Sequence, residues 1–281
     1  NASPPSTLTS LNPACNGCLT TSSGLAINEV SNGPTGNQEW FELLVTGNQL
    51  LNLNGWVIND NNGTFNGGSV STGYLFFNLP NSPACSVLSA IPPGSIIVVY
   101  NGESGGKDPN IPADDPYDSN GDGIYIMPST HLCFSYCNNE TIPCASPGAT
   151  PAWSTFMGLN NTGDAAQTLS PTGAFFTGIA YGTVGNTTAP AGSVYLPVNN
   201  TFQFSCGSLS NVSNYSGGAS SIRSPGLANS TNNQTLINLL ATNSVCYNCA
   251  TYTEPATALN ISATVVSNVS IEKSGADDHE F

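Results

Sequence analysis

The chain of 281 residues carries 17 acidic side chains but only three basic ones, Lys107, Arg223 and Lys273, and its net charge is −14. Nucleic acids and anionic membranes are therefore not expected as partners, because both are bound mainly through Lys and Arg. No apolar run approaches the roughly 20 residues that cross a bilayer, and no signal peptide is recognisable, so a secreted form would be the mature chain.

The runs along the chain predict an all-β fold. Residues 1–24 are rich in Pro, Ser and Thr, which is typical of an extended arm. From Leu25 to about Val245, short β-branched and aromatic runs alternate with Gly, Pro and Asn-Gly turns, which predicts an antiparallel β-sandwich. Within this span, only residues 232–240 suggest a helical turn.

The first three runs have a distinctive order: Ile-Asn-Glu at 27–29, Glu-Trp-Phe-Glu-Leu at 39–43, and a Leu-Asn-Gly-Trp strand ending at Asp60. This order resembles the opening of the lamin tail domain family. The resemblance extends over roughly residues 25–245 and implies an immunoglobulin-like β-sandwich, a structural or surface-attached module rather than an enzyme. Later landmarks that resemble the family are residues 93–99, 163–182 and 220–226.

Compared with that family, the sequence has long insertions near residues 64–90, 101–160 and 186–217. We therefore predict a sandwich domain over residues 25–249 that contains these insertions. Residues 250–281 then form an extended C-terminal tail.

The nine cysteines favour an oxidising compartment. Two CxxC pairs bracket the central region and are predicted to cross-link the N-terminal and C-terminal segments. A zinc site is the alternative, but the pairs lie more than 200 residues apart in a chain of secretory composition. The odd count leaves one thiol free or available for an intermolecular bond. The disulfide candidates are Cys15, Cys18, Cys85, Cys133, Cys137, Cys144, Cys206, Cys246 and Cys249.

Charged residues make up only 7% of the chain, so another polar group has to keep its surface soluble. Asn-X-Ser/Thr sequons are the expected source, as attachment sites for N-linked glycans. Only two of the 19 Asn before position 139 are sequons, against ten of the 16 from there onward. The predicted sites are Asn1, Asn62, Asn139, Asn160, Asn186, Asn199, Asn211, Asn214, Asn229, Asn233, Asn260 and Asn268.

The segment DSNGDGI at 118–124 matches the first half of an oxygen-ligand calcium loop, in which Gly provides the sharp turn. The twelfth position is Ser129 instead of the bidentate Glu of a full loop, and an ordinary Asp/Asn/Gly-rich turn is the alternative. A calcium ion here would have a structural role, and no other cofactor is expected. The predicted ligands are Asp114, Asp115, Asp118, Asn120, Asp122 and Ile124.

No convincing catalytic residues are found. Ser104 lies in a Gly-Glu-Ser-Gly-Gly segment that matches a nucleophile elbow, but a serine nucleophile needs a His base and a following helix. The only histidines are His131, in a cysteine-rich stretch, and His279, near the end of the chain. We expect a glycine-rich turn at this position and no enzyme activity.

Three glutamates are candidates for the two carboxylates that glycoside hydrolysis needs. Glu39 and Glu42 are separated by three positions, so they face opposite sides of a strand and cannot share a cleft. Glu29 is the third. The lone central Arg223 is predicted to form a partly buried ion pair with one of these acids, with Glu42 as the first choice.

The three tryptophans are candidates for stacking on a sugar. Trp40 and Trp56 lie in the family-like strands, where an aromatic side chain is expected in the core. Trp153 lies in an insertion and is the better candidate for contact with a ligand or partner.

The tail contains a long amphipathic strand, residues 259–272, that spans roughly 45 Å at about 3.3 Å per residue. A lone strand is not stable in water, so it needs a sheet, either its own or that of a neighbour. Two of the sequons, Asn260 and Asn268, lie on its polar face. The predicted subunit contacts on its apolar face are Leu259, Ile261, Ala263, Val265, Val269 and Ile271.

Two functions remain open. The first is an extracellular structural glycoprotein that forms a filament or matrix polymer by inserting this strand into a neighbouring subunit. The second is a calcium-dependent cell-surface adhesion or carbohydrate-binding module, in which the tail returns to its own domain. Both place the protein outside the cell.

Overall fold

Short β-branched and aromatic runs form two six-stranded sheets that pack face to face in an immunoglobulin-like, all-β sandwich. We describe a computed structural model of the chain, which divides into two units, residues 1–249 and 250–281. The predicted tail strand, residues 259–272, lies outside the described residues. The described residues are 18–19, 23–60, 73–137, 142–148, 153, 157–182, 193–242 and 246–247.

The first sheet has the strand order β11-β10-β9-β4-β5-β8 and the second has β13-β12-β2-β3-β6-β7. Strands of the first sheet are β4 (Val57–Asp60), β5 (Tyr74–Phe77), β8 (Phe134–Cys137), β9 (Gly163–Leu169), β10 (Phe175–Gly182) and β11 (Val194–Leu196). Strands of the second are β2 (Gly24–Ser31), β3 (Trp40–Thr46), β6 (Ile96–Tyr100), β7 (Ile124–Pro128), β12 (Thr201–Phe204) and β13 (Tyr215–Gly218).

The sheets are mixed rather than purely antiparallel as predicted, because β7 runs parallel to β6 and β11 runs parallel to β10. A separate parallel pair joins β1 (Cys18–Leu19) to β14 (Cys246–Tyr247). An α-helix, α1 (Thr231–Ala241), follows the last strand of the second sheet and confirms the predicted helical turn. Short 3₁₀ helices occupy Leu79–Asn81, Pro83–Ser89, Val212–Asn214 and Ser220–Ile222.

The main core lies between the sheets and contains most of the large aromatic side chains. Tyr181 of β10 packs on Phe202 of β12, with ring centroids 4.5 Å apart. The sheets are also joined by a hydrogen bond, in which the Thr168 hydroxyl of β9 donates to the Leu25 carbonyl of β2 over 2.7 Å. These contacts place β10 over β12 and therefore set which strands lie at each side of the sandwich.

The outer face of the second sheet is also covered, so β2, β3 and β6 are buried on both faces. Trp40, Val98 and Tyr100 form a second apolar cluster there, under Ile111 of a long loop and Ile237 of α1. A strand that is buried on both faces is apolar over most of its length, which explains the continuous run Ile96–Tyr100.

Long stretches predicted as insertions contribute strands to the sandwich. Residues 64–90 contain β5, residues 101–160 contain β7 and β8, and residues 186–217 contain β11, β12 and most of β13. Strands β5, β7, β11 and β12 pair directly with strands outside these stretches, while β8 pairs with β5 and β13 with β12. These stretches therefore extend both sheets.

Helix α1 docks through a close approach to the turn before β6. Its N-cap is Ser230, whose hydroxyl accepts a bond from the Asn233 backbone N–H over 3.1 Å. Leu236 and Leu240 on its inner face are buried. Gly94 in the turn has φ +85°, and a Cβ at this position would lie 2.7 Å from the Ile237 carbonyl oxygen. Only glycine therefore lets the helix approach this closely.

We expect Gly94→Ala to lower the melting temperature more than Gly105→Ala. Both glycines have a positive φ, but a Cβ at Gly105 would meet nothing within 4 Å. Each alanine would have to adopt a left-handed conformation, which costs about 1–2 kcal/mol. Only the alanine at position 94 would also displace α1. Thermal unfolding of the two variants measures the difference, and equal losses would contradict the close approach.

Candidate functional site

The two sheets end on the same side of the sandwich, at β11 and β13, and we call this the open side. Strand β13 pairs with β12 alone among the described residues. The antiparallel register, in which the Ser205 N–H donates to the Asn214 carbonyl over 2.8 Å, directs the backbone groups of Gly217 away from β12. The Tyr215 N–H also faces away from β12, but it donates to the Val212 carbonyl. An edge of this kind can pair with a further strand.

The opposite side is covered by loops. Asp115 forms an antiparallel bridge with Ile126 on β7, and Gly148 forms one with Tyr136 on β8. Two disulfides, Cys85–Cys133 and Cys137–Cys144, also hold this region. The sandwich is therefore asymmetric, with one side covered and one side open among the residues that the structure describes.

Exposed apolar side chains concentrate in the segments that flank the open side. Of the eight large hydrophobic residues that are exposed in the described part of the chain, four lie there: Tyr195, Val198, Val212 and Ile222. Gly217 and Gly218 leave the end of β13 without side chains. Small residues beside exposed apolar ones favour the approach of another backbone with an apolar face.

Two glutamates, Glu29 and Glu42, lie opposite each other on β2 and β3 and are both fully buried. Burial raises the pKa of Glu29 to about 7. Burial, followed by the neighbouring Glu29, raises the pKa of Glu42 well above its usual range. A bulge in β2 lets the Asn28 side chain donate to Glu42 over 2.7 Å.

Residues 224–233, which we call the C-terminal segment, supply further hydrogen bonds to these carboxylates. The Gly226 backbone N–H donates to Glu42 over 2.6 Å, and the Ser224 hydroxyl donates to Glu29 over 2.8 Å. Asn233 of α1 exchanges hydrogen bonds with Asn28. This network fixes residues 224–233 on the second sheet. Its carboxylate, amide and hydroxyl groups form hydrogen bonds with one another.

The predicted pairing of Arg223 with Glu42 is wrong. The Arg223 Nε lies 2.8 Å from Asp108 Oδ2, although its N–H does not point along that contact. Asp108 is fully buried and also accepts from the Trp40 indole over 3.1 Å. The long loop before β7 brings Asp108 to this place, and sequence spacing gave no sign of it.

Trp153 is not an exposed ligand contact, because it is 1% exposed and its indole N–H donates to Glu39 over 2.8 Å. Burial raises the pKa of Glu39 to about 7. Trp40 and Trp56 lie in the core, as predicted. Glu39 thus belongs to the Trp153 contact and Glu42 to the network around Asn28, so the two carboxylates do not share a site.

The loop predicted to bind calcium uses its oxygens for local hydrogen bonds. Asp118 accepts from the Gly123 N–H over 3.1 Å, and Asp122 accepts from the Ile124 N–H over 2.9 Å. Asp115 accepts from the Ser119 N–H, while Asn120 bonds to Asp122. This is the Asp/Asn-rich turn that the sequence offered as the alternative.

The upstream Asp114 forms an ion pair with Lys107 at 2.7 Å and accepts from the Tyr100 hydroxyl. Within the described ranges, no three His, Cys, Asp or Glu side chains form a group that could hold a metal ion. The six predicted ligands are therefore not assembled as a calcium site, and calcium binding stays a prediction.

Ser104 lies exposed in a turn closed by the bond from the Gly106 N–H to the Glu103 carbonyl, over 2.8 Å. No helix follows it directly, as the sequence indicated. His131 is half-buried beside Tyr117, with ring centroids 5.6 Å apart, and burial lowers its pKa. His279 lies outside the described residues.

The remaining predicted sites are only partly described. Cys206 is disulfide-bonded, and the backbones of Cys18 and Cys246 lie opposite each other in the β1–β14 pair. Cys15 and Cys249 lie outside the described residues. The described sequons are Asn160, Asn199, Asn211, Asn214, Asn229 and Asn233, and the other six lie outside. All predicted subunit contacts of the tail lie outside as well.

Residues 20–134 match the family model described as Lamin Tail Domain. The matched stretch runs from β2 to the start of β8 and agrees with the immunoglobulin-like sandwich. The resemblance of residues 163–182 and 220–226 lies beyond this match and stays a prediction. No curated protein and no solved structure shows significant similarity to the chain. No helix of the described part is long and apolar enough to span a membrane.

Replacement of Arg223 by Met should destabilise the sandwich by about 3–5 kcal/mol, because Asp108 would remain buried without its cation. The matched control is Lys107→Met, which removes the cation of a pair whose side chains are 35% and 44% exposed. An exposed pair is worth about 1 kcal/mol or less. Chemical denaturation compares the two variants, and similar losses would contradict a structural role for Arg223.

The stability should fall as the pH rises from about 4.5 to 7. Glu29 and Glu39 have folded-state pKa values near 7 against an ordinary value of 4.5, so the folded chain holds more protons in this window. The melting temperature is therefore expected to be higher at pH 4.5 than at pH 7.5, by calorimetry. The double variant Glu29→Gln/Glu39→Gln should reduce that difference, and an unchanged difference would argue against these carboxyl groups as its source.

Proposed function

We propose that the protein is an extracellular structural glycoprotein whose subunits polymerise when residues 259–272 of one subunit insert at the open side of the next. The observation that carries the proposal is the asymmetry of the sandwich. The β7 and β8 edges are bridged by loops, while β13 offers outward-facing backbone groups among the described residues. Strand addition needs such an edge, since its affinity comes from main-chain hydrogen bonds.

The tail has the side chains that this edge would accept. Its odd positions carry Leu259, Ile261, Val265, Val269 and Ile271. At about 1.5–3 kcal/mol for each fully buried large side chain, these contribute on the order of 8–12 kcal/mol before the cost of ordering the strand. Its even positions carry the two sequons, so glycans would remain on the outside.

A contact between the tail of one subunit and the sheet edge of another is heterologous. Such a contact repeats without closing unless the rotation between subunits forms a ring, and it therefore favours a filament. Two disulfides in the described part support an extracellular location. The alternative, an adhesion module, has less support because Trp153, its candidate ligand contact, is buried.

Truncation after Pro255 should leave a folded monomer that no longer polymerises, because the inserting strand is gone and the described sheets are retained. Light scattering and electron microscopy of the truncated and full chains measure this. Addition of a peptide of residues 257–273 should slow amide exchange at Gly217. Filaments formed by the truncated chain would overturn the proposal, and so would a full chain that remains monomeric.

A matched pair of substitutions tests the register of the inserted strand. Val265→Asp places a charge on the apolar face and should abolish polymers, whereas Thr264→Asp places the same charge on the polar face and should retain them. Polymer mass by sedimentation is the readout. Equal effects of the two substitutions would contradict insertion with one buried face.

A further inference from the structure

Four of the six sequons in the described part of the chain form two geometric classes, according to what their side-chain amide does. Asn214 belongs to neither class, because its amide makes a single hydrogen bond, to the Ser208 carbonyl over 2.8 Å. In one class the amide nitrogen makes no hydrogen bond to the described residues. In the other, both of its N–H groups are hydrogen-bonded inside the sandwich. N-glycosylation acts on this nitrogen, so the two classes have opposite consequences.

Asn160 and Asn211 belong to the first class, and both are exposed. The Thr162 hydroxyl and backbone N–H donate to Asn160 Oδ1, over 2.8 and 2.9 Å. The Ser213 hydroxyl and backbone N–H donate to Asn211 Oδ1 in the same way, over 2.9 and 3.0 Å. Each sequon thus forms a turn in which its own third residue binds the amide oxygen, and Nδ2 makes no hydrogen bond to the described residues.

Asn229 and Asn233 belong to the second class. The Asn229 amide donates to the carbonyls of Asn28 and Phe204, over 2.8 and 3.0 Å. The Asn233 amide donates to Asn28 Oδ1 and to the Ser205 carbonyl, over 2.8 and 3.0 Å, and its side chain is fully buried. Neither amide retains an N–H for another partner.

We infer that Asn160 and Asn211 carry N-linked glycans in the folded protein and that Asn229 and Asn233 do not. Attachment forms a bond between Nδ2 and the anomeric carbon of a sugar supplied as a lipid diphosphate. One amide proton is lost, and the lipid diphosphate leaves. At Asn229 or Asn233 this would remove a buried hydrogen bond and place a sugar between β2, β12 and α1. The inference rests on the secretory route of the proposed function.

The test is glycopeptide mass spectrometry of the full chain, secreted by cells that perform N-glycosylation and purified in folded form. Glycan mass is expected on the peptides of Asn160 and Asn211 and not on those of Asn229 and Asn233. A glycan at either internal position overturns the inference, as does an empty Asn160 or Asn211 when other sequons are occupied. If all twelve sequons of the chain are empty, the glycoprotein part of the proposed function fails too.

Two hydroxyl deletions provide a matched comparison without altering either Asn. Ser213→Ala breaks the sequon of Asn211 and should reduce the intact mass by one glycan. Thr235→Ala breaks the sequon of Asn233 and should leave the glycan mass unchanged. A loss of one glycan in the Thr235 variant would overturn the inference, and so would an unchanged glycan mass in the Ser213 variant.

Discussion

The structure depends on the way in which two adjacent buried carboxylates, Glu29 and Glu42, are kept satisfied. Carboxyl groups without hydrogen-bond partners inside a sandwich would be strongly unfavourable. The partners come from the β2 bulge at Asn28 and from residues 224–226, far along the chain. The same requirement therefore holds the C-terminal segment and α1 against the second sheet, and the apolar cluster around Trp40 is covered as a result.

This covering gives the sandwich its asymmetry. Loops before β7 and after β8 bridge one pair of sheet edges, and the C-terminal segment lies on the outer face of the second sheet. The described strands leave β11 and β13 at the other side, and the proposed assembly uses that side. A strand that joins at β13 need not disturb the carboxylate network, because β12 lies between β13 and β2, the strand that carries Glu29.

Two predicted glycosylation sites, Asn229 and Asn233, are joined to the carboxylate network through Asn28. Asn229 and Asn233 read as glycosylation signals in the sequence, yet their amides bind the β2 bulge and the end of β12. Asn160 and Asn211 have the same sequence signal, but their amide oxygens accept from the hydroxyl of their own sequon, and their amide nitrogens make no hydrogen bond to the described residues. The same Asn-X-Ser/Thr signal thus stands in two different environments, decided by which groups the fold brings next to the amide nitrogen.

The sequence by itself determined the all-β class, the position of α1 and the burial of Trp40 and Trp56, because these follow from local periodicity and residue type. It also identified the segment at 118–124 as either a calcium loop or a turn. Only the tertiary structure decided that Arg223 faces Asp108 and that Trp153 is internal. It also decided that the amides of Asn229 and Asn233 form hydrogen bonds inside the fold. Each of these contacts joins residues far apart in the chain, and local pattern carries no information about which distant groups the packing of the sheets brings together.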